Sequence, residues 1–154
     1  MLMDSIATLT RLLEYSEAER DSALAALRQA ESIDSAAQAQ ASELNGYRGE
    51  YRQRWVAHFK QPGAIGLLHC YRNFGQRLDQ AITQQDQSSG QATTRMQQAR
   101  AQLVAREQRV AAVRKLIERR QAELRHIDER RAQRDTDEAA QRISAIARLG
   151  GLQP

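Results

Sequence analysis

The sequence predicts an all-α protein, a long antiparallel two-helix coiled-coil hairpin in which the second helix is longer. Three observations predict this fold. The 154-residue chain is only 41% apolar and 5% aromatic, with a mean hydropathy of −0.70, which leaves little material for a globular core. Apolar residues recur at alternating spacings of four and three along most of the chain, as in a coiled coil. One Pro-Gly pair, Pro62-Gly63, interrupts that pattern.

The first helix is predicted over about residues 4–59. Starting at Leu2, the four-three spacing continues to Trp55 without a phase shift, and twelve of its sixteen positions are apolar. This is far more than the three or four heptads that usually identify a coiled coil. The predicted core positions of this helix are Leu2, Ile6, Leu9, Leu13, Ser16, Arg20, Ala23, Leu27, Ala30, Asp34, Ala37, Ala41, Leu44, Arg48, Tyr51 and Trp55.

The turn is predicted at residues 60–64. Pro62 lacks a backbone donor and disfavours the helical conformation of Gln61, while Gly63 permits a tight reversal. Two long helices joined by one short loop pair antiparallel, so we expect the whole chain, 1–154, to form a single coiled-coil domain.

The second helix is predicted over about residues 65–149. Thirteen of its eighteen core positions are apolar. Its weak point is the segment 86–90, because Ser and Gly are poor helix formers. A loop at this segment, which would give a three-helix bundle, is the alternative. The predicted core positions are Leu68, Tyr71, Gly75, Leu78, Ile82, Gln85, Ser89, Ala92, Met96, Ala99, Leu103, Arg106, Val110, Val113, Ile117, Arg120, Leu124 and Ile127.

The second helix is predicted to extend beyond its partner. With a turn near Pro62, facing residues have numbers that sum to about 124, so residues beyond about 122 have no partner. A new apolar stripe follows there, formed by Ala139, Ile143, Ile146 and Leu149. An uncovered amphipathic helix suits a binding partner. A frayed terminus is the alternative interpretation.

The sequence predicts neither an enzyme nor a cofactor or metal site. It contains no Gly-rich phosphate loop, nucleophile elbow or HExxH motif, and two paired helices enclose no pocket that could tune a catalytic side chain. His58, His69 and Cys70 lack a fourth zinc ligand, and His69 and Cys70 diverge around the helix. No run approaches the roughly 20 apolar residues that cross a bilayer, so we expect a cytoplasmic protein.

Basic residues are concentrated in the second half of the chain. Residues 61–154 hold sixteen bases and ten acids, and 21 of the 23 bases in the whole chain are Arg. The segment 95–134 alone holds eleven Arg and one Lys against five acids, and such a helix could follow a phosphate backbone. Its acids are interspersed at helical spacings, and no aromatic residues alternate with the bases. Nucleic-acid binding by a generic Arg-rich scaffold is therefore the less favoured interpretation.

Six of the seven aromatic residues lie near the predicted turn. Tyr51, Trp55 and Tyr71 occupy core positions, where they would hold the loop. Tyr47 and Phe74 flank the core at similar heights on opposite helices, so we expect the two rings to lie close together and partly exposed. Exposed aromatic pairs suit binding anchors. Packing at the core edge is the alternative.

The residues around the turn resemble a known family. The segments Leu44-x-x-Tyr47-x-x-x-Tyr51-Arg52 and Tyr71-x-x-Phe74-x-x-x-Leu78-x-x-Ala81-Ile82-x-x-Gln85, with Pro-Gly between them, are similar to the flagellar FliJ family of type III export proteins. The segment 137–142 also resembles the C-terminal region of that family.

The resemblance implies a component of the flagellar export apparatus with three kinds of partner. FliJ-like proteins are antiparallel coiled coils similar to the stalk of rotary ATPases, and they associate with the hexameric export ATPase. They also contact the linker of the membrane export gate and help to recycle substrate chaperones at the flagellar base. By position, the gate-contacting surface maps to Gln40, Leu44, Tyr47, Tyr51, Phe74, Leu78 and Ala81.

The resemblance also places the end that carries both termini in the ATPase ring. The uncovered helix is predicted at the same end, and the residues that we expect to contact the ATPase are Arg130, Arg131, Arg134, Ile143 and Ile146. The equivalent stalk protein of an injectisome is the alternative within this class. A dimer of hairpins would satisfy the same apolar stripe as a monomer.

Overall fold

The computed structural model of the protein describes residues 1–60 and 64–151. Helix α1 spans Leu2–Phe59, a short 3-10 helix spans Ala64–Leu67, and helix α2 spans Leu68–Gly150. The two long helices pack against each other and the second is longer, which confirms the predicted helical hairpin. Within the predicted turn, Pro62 and Gly63 lie outside the described residues.

Most of the positions that the four-three spacing assigns to the core are covered by the facing helix. All sixteen on α1 are buried or half-buried, and so is every one from Tyr71 to Ile117 on α2. Leu68, Arg120 and Ile127 were also predicted as core positions and are exposed. Arg120 lies opposite the very start of α1, and Ile127 lies beyond it. The heptad pattern of α2 therefore continues past the part of the helix that α1 can cover.

Contacts divide the chain into two units, each built from part of both helices. The turn-end unit comprises Glu19–Arg106, and the terminal unit comprises Met1–Ala18 with Glu107–Pro154. The organisation as one domain stays a prediction.

The core of the turn-end unit alternates apolar and polar layers. Leu78, Ile82 and Leu27 are 7–8% exposed and form apolar layers. Between them, the Thr93 hydroxyl donates a hydrogen bond to the Asp34 carboxylate at 2.6 Å, and the Gln85 amide donates to the Ala37 carbonyl at 3.1 Å. Such cross-helix hydrogen bonds depend on register, because a shift of one turn would separate donors from acceptors.

Helix α2 continues through the segment 86–90, so the alternative of a three-helix bundle is wrong. Ser89 occupies a core position and is only 5% exposed, while Gly90 is exposed. The Thr94 hydroxyl donates to the Gly90 carbonyl at 3.0 Å. Packing against α1 thus compensates for the low helix propensity of this segment.

The terminal unit has a short apolar core followed by a long exposed helix. Val110 and Val113 are 2% and 5% exposed, and Ser16 is 1% exposed. Leu124 is the last half-buried residue, and every residue from 125 to 151 is exposed. Helix α2 ends at a Gly-Gly pair, where the Gly151 amide donates to the Ala147 carbonyl at 3.1 Å. No helix among the described residues has both the length and the apolarity that a membrane span requires.

Candidate functional site

Five aromatic rings cluster at the turn end of the hairpin, with Tyr51 at the centre. The Tyr51 ring lies 5.5 Å from that of Tyr71, nearly parallel to it, and 6.0 Å from that of Trp55. Phe59 lies 5.3 Å from Trp55 and 5.4 Å from Tyr71. Burial among these groups raises the pKa of the Tyr51 hydroxyl, and a hydrogen bond with the Trp55 side chain opposes that effect. The cluster joins both helices next to the turn, so it gives any surface built there a firm support.

Tyr47 and Phe74 do not pair with each other, contrary to the prediction from their spacing. The Phe74 ring packs on Tyr51 at 4.8 Å, and Tyr47 makes no ring contact within residues 1–60 and 64–151. The helix pairing explains this difference, because Tyr51 faces the interval between Tyr71 and Phe74, whereas Tyr47 lies one turn further from the loop. Both rings are nevertheless exposed, Tyr47 by 48% and Phe74 by 41%.

Tyr47 instead belongs to a shallow groove, which we call the amide groove. Its five lining residues are Gln40, Glu43, Leu44, Tyr47 and Gln85, and its volume is about 460 Å³. The Gln85 amide donates to the Gln40 side-chain oxygen at 3.3 Å as well as to the backbone of α1. The groove therefore combines an aromatic ring and a Leu side chain with amide groups that are already fixed in place.

The predicted gate-contacting residues differ in how accessible they are. Gln40, Tyr47 and Phe74 are exposed, and Leu44, Tyr51 and Ala81 are half-buried. Leu78 is 8% exposed and packs in the core. A partner on this surface would meet the exposed side chains first, so the buried Leu78 would act by supporting them.

The sequence did not single out Glu43 as part of this surface, and it left Gln85 outside the predicted contacts. Glu43 is three residues after Gln40 and four before Tyr47, and this spacing places all three on one helix face. That periodicity was the signal for Glu43. Gln85 occupies a core position, and only the cross-helix hydrogen bonds show that it shapes the groove.

The second set of predicted contacts lies on the C-terminal segment, residues 125–151, and all of its members are exposed. Ile143 and Ile146 are 69% and 68% exposed, and Leu149, which the predicted contacts omitted, is 70% exposed. Arg130 and Arg134 share one face by their spacing of four, more than two helical turns before the isoleucines. Asp137 lies on the same face, three residues after Arg134, so the segment offers a patch of mixed charge followed by an apolar patch.

Several arginines of α2 form ion pairs with acids of α1. Arg106 binds Glu19 at 2.7 Å, Arg114 binds Glu17 at 3.0 Å and Arg100 lies 3.7 Å from Glu31. Arg120 binds Glu123 on its own helix at 3.1 Å. These arginines are engaged with carboxylates of the chain itself, and this pairing weighs against a continuous phosphate-binding surface.

The histidines and the cysteine near the turn do not form a ligand set. His69 lies 3.3 Å from the Asn73 amide, His58 packs edge-on against Trp55, and Cys70 is an exposed free thiol. Within the described parts of the chain, no group of three or more His, Cys, Asp or Glu residues could hold a metal ion.

A comparison with protein families finds a match over most of the chain. Residues 5–148, nearly the whole chain, match the family described as "Flagellar FliJ protein". No curated protein and no solved structure matches the chain significantly.

Proposed function

The chain belongs to the flagellar FliJ family and is thus a flagellar export protein, and from this premise we propose that it links the export ATPase to the export gate. In this proposal the C-terminal segment binds inside the hexameric ATPase ring, and the turn-end surface binds the linker of the membrane gate. Export chaperones are proposed as transient further partners. The work would take place in the cytoplasm, at the inner membrane beneath the flagellum.

The observation that carries the proposal is the uncovered C-terminal segment. Residues 125–151 are all exposed, and three large apolar side chains there are about 70% exposed. When a partner covers such an exposed apolar stripe, the free energy of the system falls because apolar surface is removed from water. A ring with a central opening could surround this helix on several sides, and only a helix without a neighbour of its own can be enclosed in that way.

The exposed arginines of the segment support the same assignment. Arg130, Arg131 and Arg134 precede the apolar stripe, and their guanidinium groups would suit carboxylates or backbone carbonyls on the inner loops of a ring. Contacts of this kind at a partly exposed surface are individually weak. Many weak contacts around a ring would hold the helix without fixing it in a single orientation.

The turn-end surface supports the second half of the proposal. The exposed Phe74 ring packs on Tyr51 of the aromatic cluster. The exposed Tyr47 ring lines the amide groove, where hydrogen-bonded amides lie close to Leu44. Aromatic anchors next to fixed polar groups are typical of sites that bind an extended peptide or a helix. The family match favours the flagellar system over an injectisome.

The experiment compares two sets of variants, each of which should lose one of two activities and keep the other. We expect deletion of residues 125–154 to abolish stimulation of the purified ATPase while leaving binding to the gate linker intact. We expect Tyr47→Ala and Phe74→Ala to weaken gate binding while leaving ATPase stimulation intact. Leu12→Ala is the matched control for Phe74, because the two side chains are 43% and 41% exposed. Loss of both activities in either variant would contradict two separate binding ends.

A further inference from the structure

The turn-end unit contains a second groove that the proposed function does not use. We call it the arginine groove, because Arg48, Arg52 and Arg72 line it together with a single acid, Asp79. Its volume is about 460 Å³. It shares only Tyr51 and Leu78 with the predicted gate-contacting residues, and it shares no lining residue with the amide groove.

The three arginines of this groove differ in their partners. Arg48 binds Asp79 at 2.9 Å through its Nε atom, so one guanidinium is already neutralised. Arg52 and Arg72 are exposed and make no ion pair or hydrogen bond with any residue in the described part of the chain. Two unpaired guanidinium groups on facing helices suit a ligand that carries at least two negative charges.

The floor of the groove is apolar and has free space. The stacked rings of Tyr51 and Tyr71 form part of it, with centroids 5.5 Å apart. Gly75 contributes no side chain, and a Cβ atom built there would meet nothing within 4 Å apart from its chain neighbours and the backbone of its own helix. A ligand can therefore place an apolar group over Gly75 while its charged groups reach the arginines.

We propose that the arginine groove binds an acidic protein segment. Two carboxylates of the segment pair with Arg52 and Arg72, and an apolar side chain between them packs over Gly75 against Tyr71. The ion pair between Arg48 and Asp79 is an example, within the groove, of the arginine–carboxylate pairing that we propose for the ligand.

A nucleic acid fits these observations less well. The groove offers two free arginines rather than an extended row of them, whereas binding to a phosphate backbone depends on many such contacts. Tyr51 and Tyr71 are half-buried and stacked on each other, so one face of each ring is already covered and no row of open rings is available for successive bases. The combination of charge and apolar floor matches side chains of a protein.

The test measures binding of a fluorescein-labelled peptide of repeated Glu-Glu-Leu triplets to the full chain by fluorescence anisotropy. We expect the double variant Arg52→Gln/Arg72→Gln to weaken binding about tenfold, since each ion pair at a partly exposed surface contributes roughly threefold. Affinity should also fall as salt is added. A peptide in which Gln replaces Glu should bind at least tenfold more weakly than the acidic one, by the same reasoning about two lost ion pairs.

A second variant separates binding from folding. We expect Gly75→Leu to fill the groove and weaken peptide binding at least as much as the double variant. Its melting temperature should be unchanged or higher, because Leu is a better helix former than Gly, a Cβ atom fits at the position, and the groove of about 460 Å³ can hold the rest of the side chain. A loss of binding in a fully folded variant cannot be ascribed to unfolding.

The charge-matched control is Arg54→Gln/Arg77→Gln, which removes two exposed arginines that do not line the groove. We expect this control to bind the peptide within about twofold of the original chain. The proposal is overturned if the control weakens binding as much as the groove variant, or if Gly75→Leu binds normally. It is also overturned if a single-stranded oligonucleotide binds more tightly than the peptide and loses affinity in the same groove variants.

Discussion

The Thr93 hydroxyl of α2 lies 2.6 Å from the Asp34 carboxylate of α1, and this hydrogen bond joins the two helices at a core position. The Gln38 amide donates to the same hydroxyl at 3.2 Å. A half-buried carboxylate has lost part of its hydration, and a hydrogen bond from the protein compensates for that loss. If the donor is removed, the desolvation cost remains and lowers the stability of the fold. The pair therefore contributes to stability and to register together.

We expect Thr93→Val to lower the free energy of unfolding by about 1–2 kcal/mol, because Val keeps the shape of Thr but removes the hydroxyl from Asp34. Urea denaturation followed by circular dichroism measures the change. The neighbouring Thr94 is the control, since it is exposed and its hydroxyl bonds only to the carbonyl of Gly90 on its own helix. Equal losses for Thr93→Val and Thr94→Val would show that the cross-helix bond is unimportant.

Ser16 provides a prediction of the opposite sign. It is 1% exposed, and its hydroxyl has no hydrogen-bond partner among the described residues. We expect Ser16→Ala to raise the free energy of unfolding by about 1 kcal/mol or more, because it removes an uncompensated buried polar group and improves helix propensity. Ser42→Ala, at an exposed position of the same helix, isolates the gain of about 0.5 kcal/mol from propensity alone. A Ser16→Ala gain no larger than that of Ser42→Ala would mean that the hydroxyl costs nothing.

The ion pair between Arg106 and Glu19 should be one of the few that matter to stability. Its atoms are 2.7 Å apart and its side chains are 31% and 22% exposed. A double-mutant cycle of Arg106→Ala and Glu19→Ala should give a coupling energy of about 1 kcal/mol. The cycle for Arg100 and Glu31, which are 3.7 Å apart and more exposed, should give a value near zero. Similar coupling in both cycles would contradict a role for distance and burial.

The raised pKa of Tyr51 predicts a pH dependence at the alkaline end. The group is neutral when protonated, and burial favours that form in the folded state. Its contribution to stability is therefore fully present below the usual tyrosine pKa of about 10 and is lost as pH rises through the higher folded value. We expect the melting temperature to fall less steeply in Tyr51→Phe than in the original chain as pH rises above about 10. Identical slopes would contradict a raised pKa for the half-buried Tyr51 hydroxyl.

The heptad core could be predicted from the sequence almost residue by residue, because burial in a coiled coil depends mainly on helical periodicity. The same periodicity overextended the core to Arg120 and Ile127, since a repeat in one helix does not report where its partner ends. The end of the covered region followed instead from the expectation that facing residues have numbers summing to about 124. The exposed residues from 125 onwards agree with it.

Side-chain contacts between the helices were harder to predict than burial. Spacing placed Tyr47 and Phe74 at similar heights, but a difference of one turn decides which ring meets Tyr51. The groove around Gln85 depends on hydrogen bonds across the pair, and the arginine groove depends on the missing side chain of Gly75. Such features arise from the exact register of two helices, which a pattern along one helix does not contain.

The claim on which the proposed function rests is that the C-terminal segment, and not the aromatic end, enters the ATPase ring. The most direct measurement is the rate at which a maleimide labels a thiol introduced by Ile143→Cys, in a chain whose exposed Cys70 has been changed by Cys70→Ser. Tyr47→Cys in the same background reports on the other end. We expect the hexameric ATPase to slow labelling at position 143 strongly and to leave labelling at position 47 unchanged. Protection at position 47 with free labelling at position 143 would contradict the account.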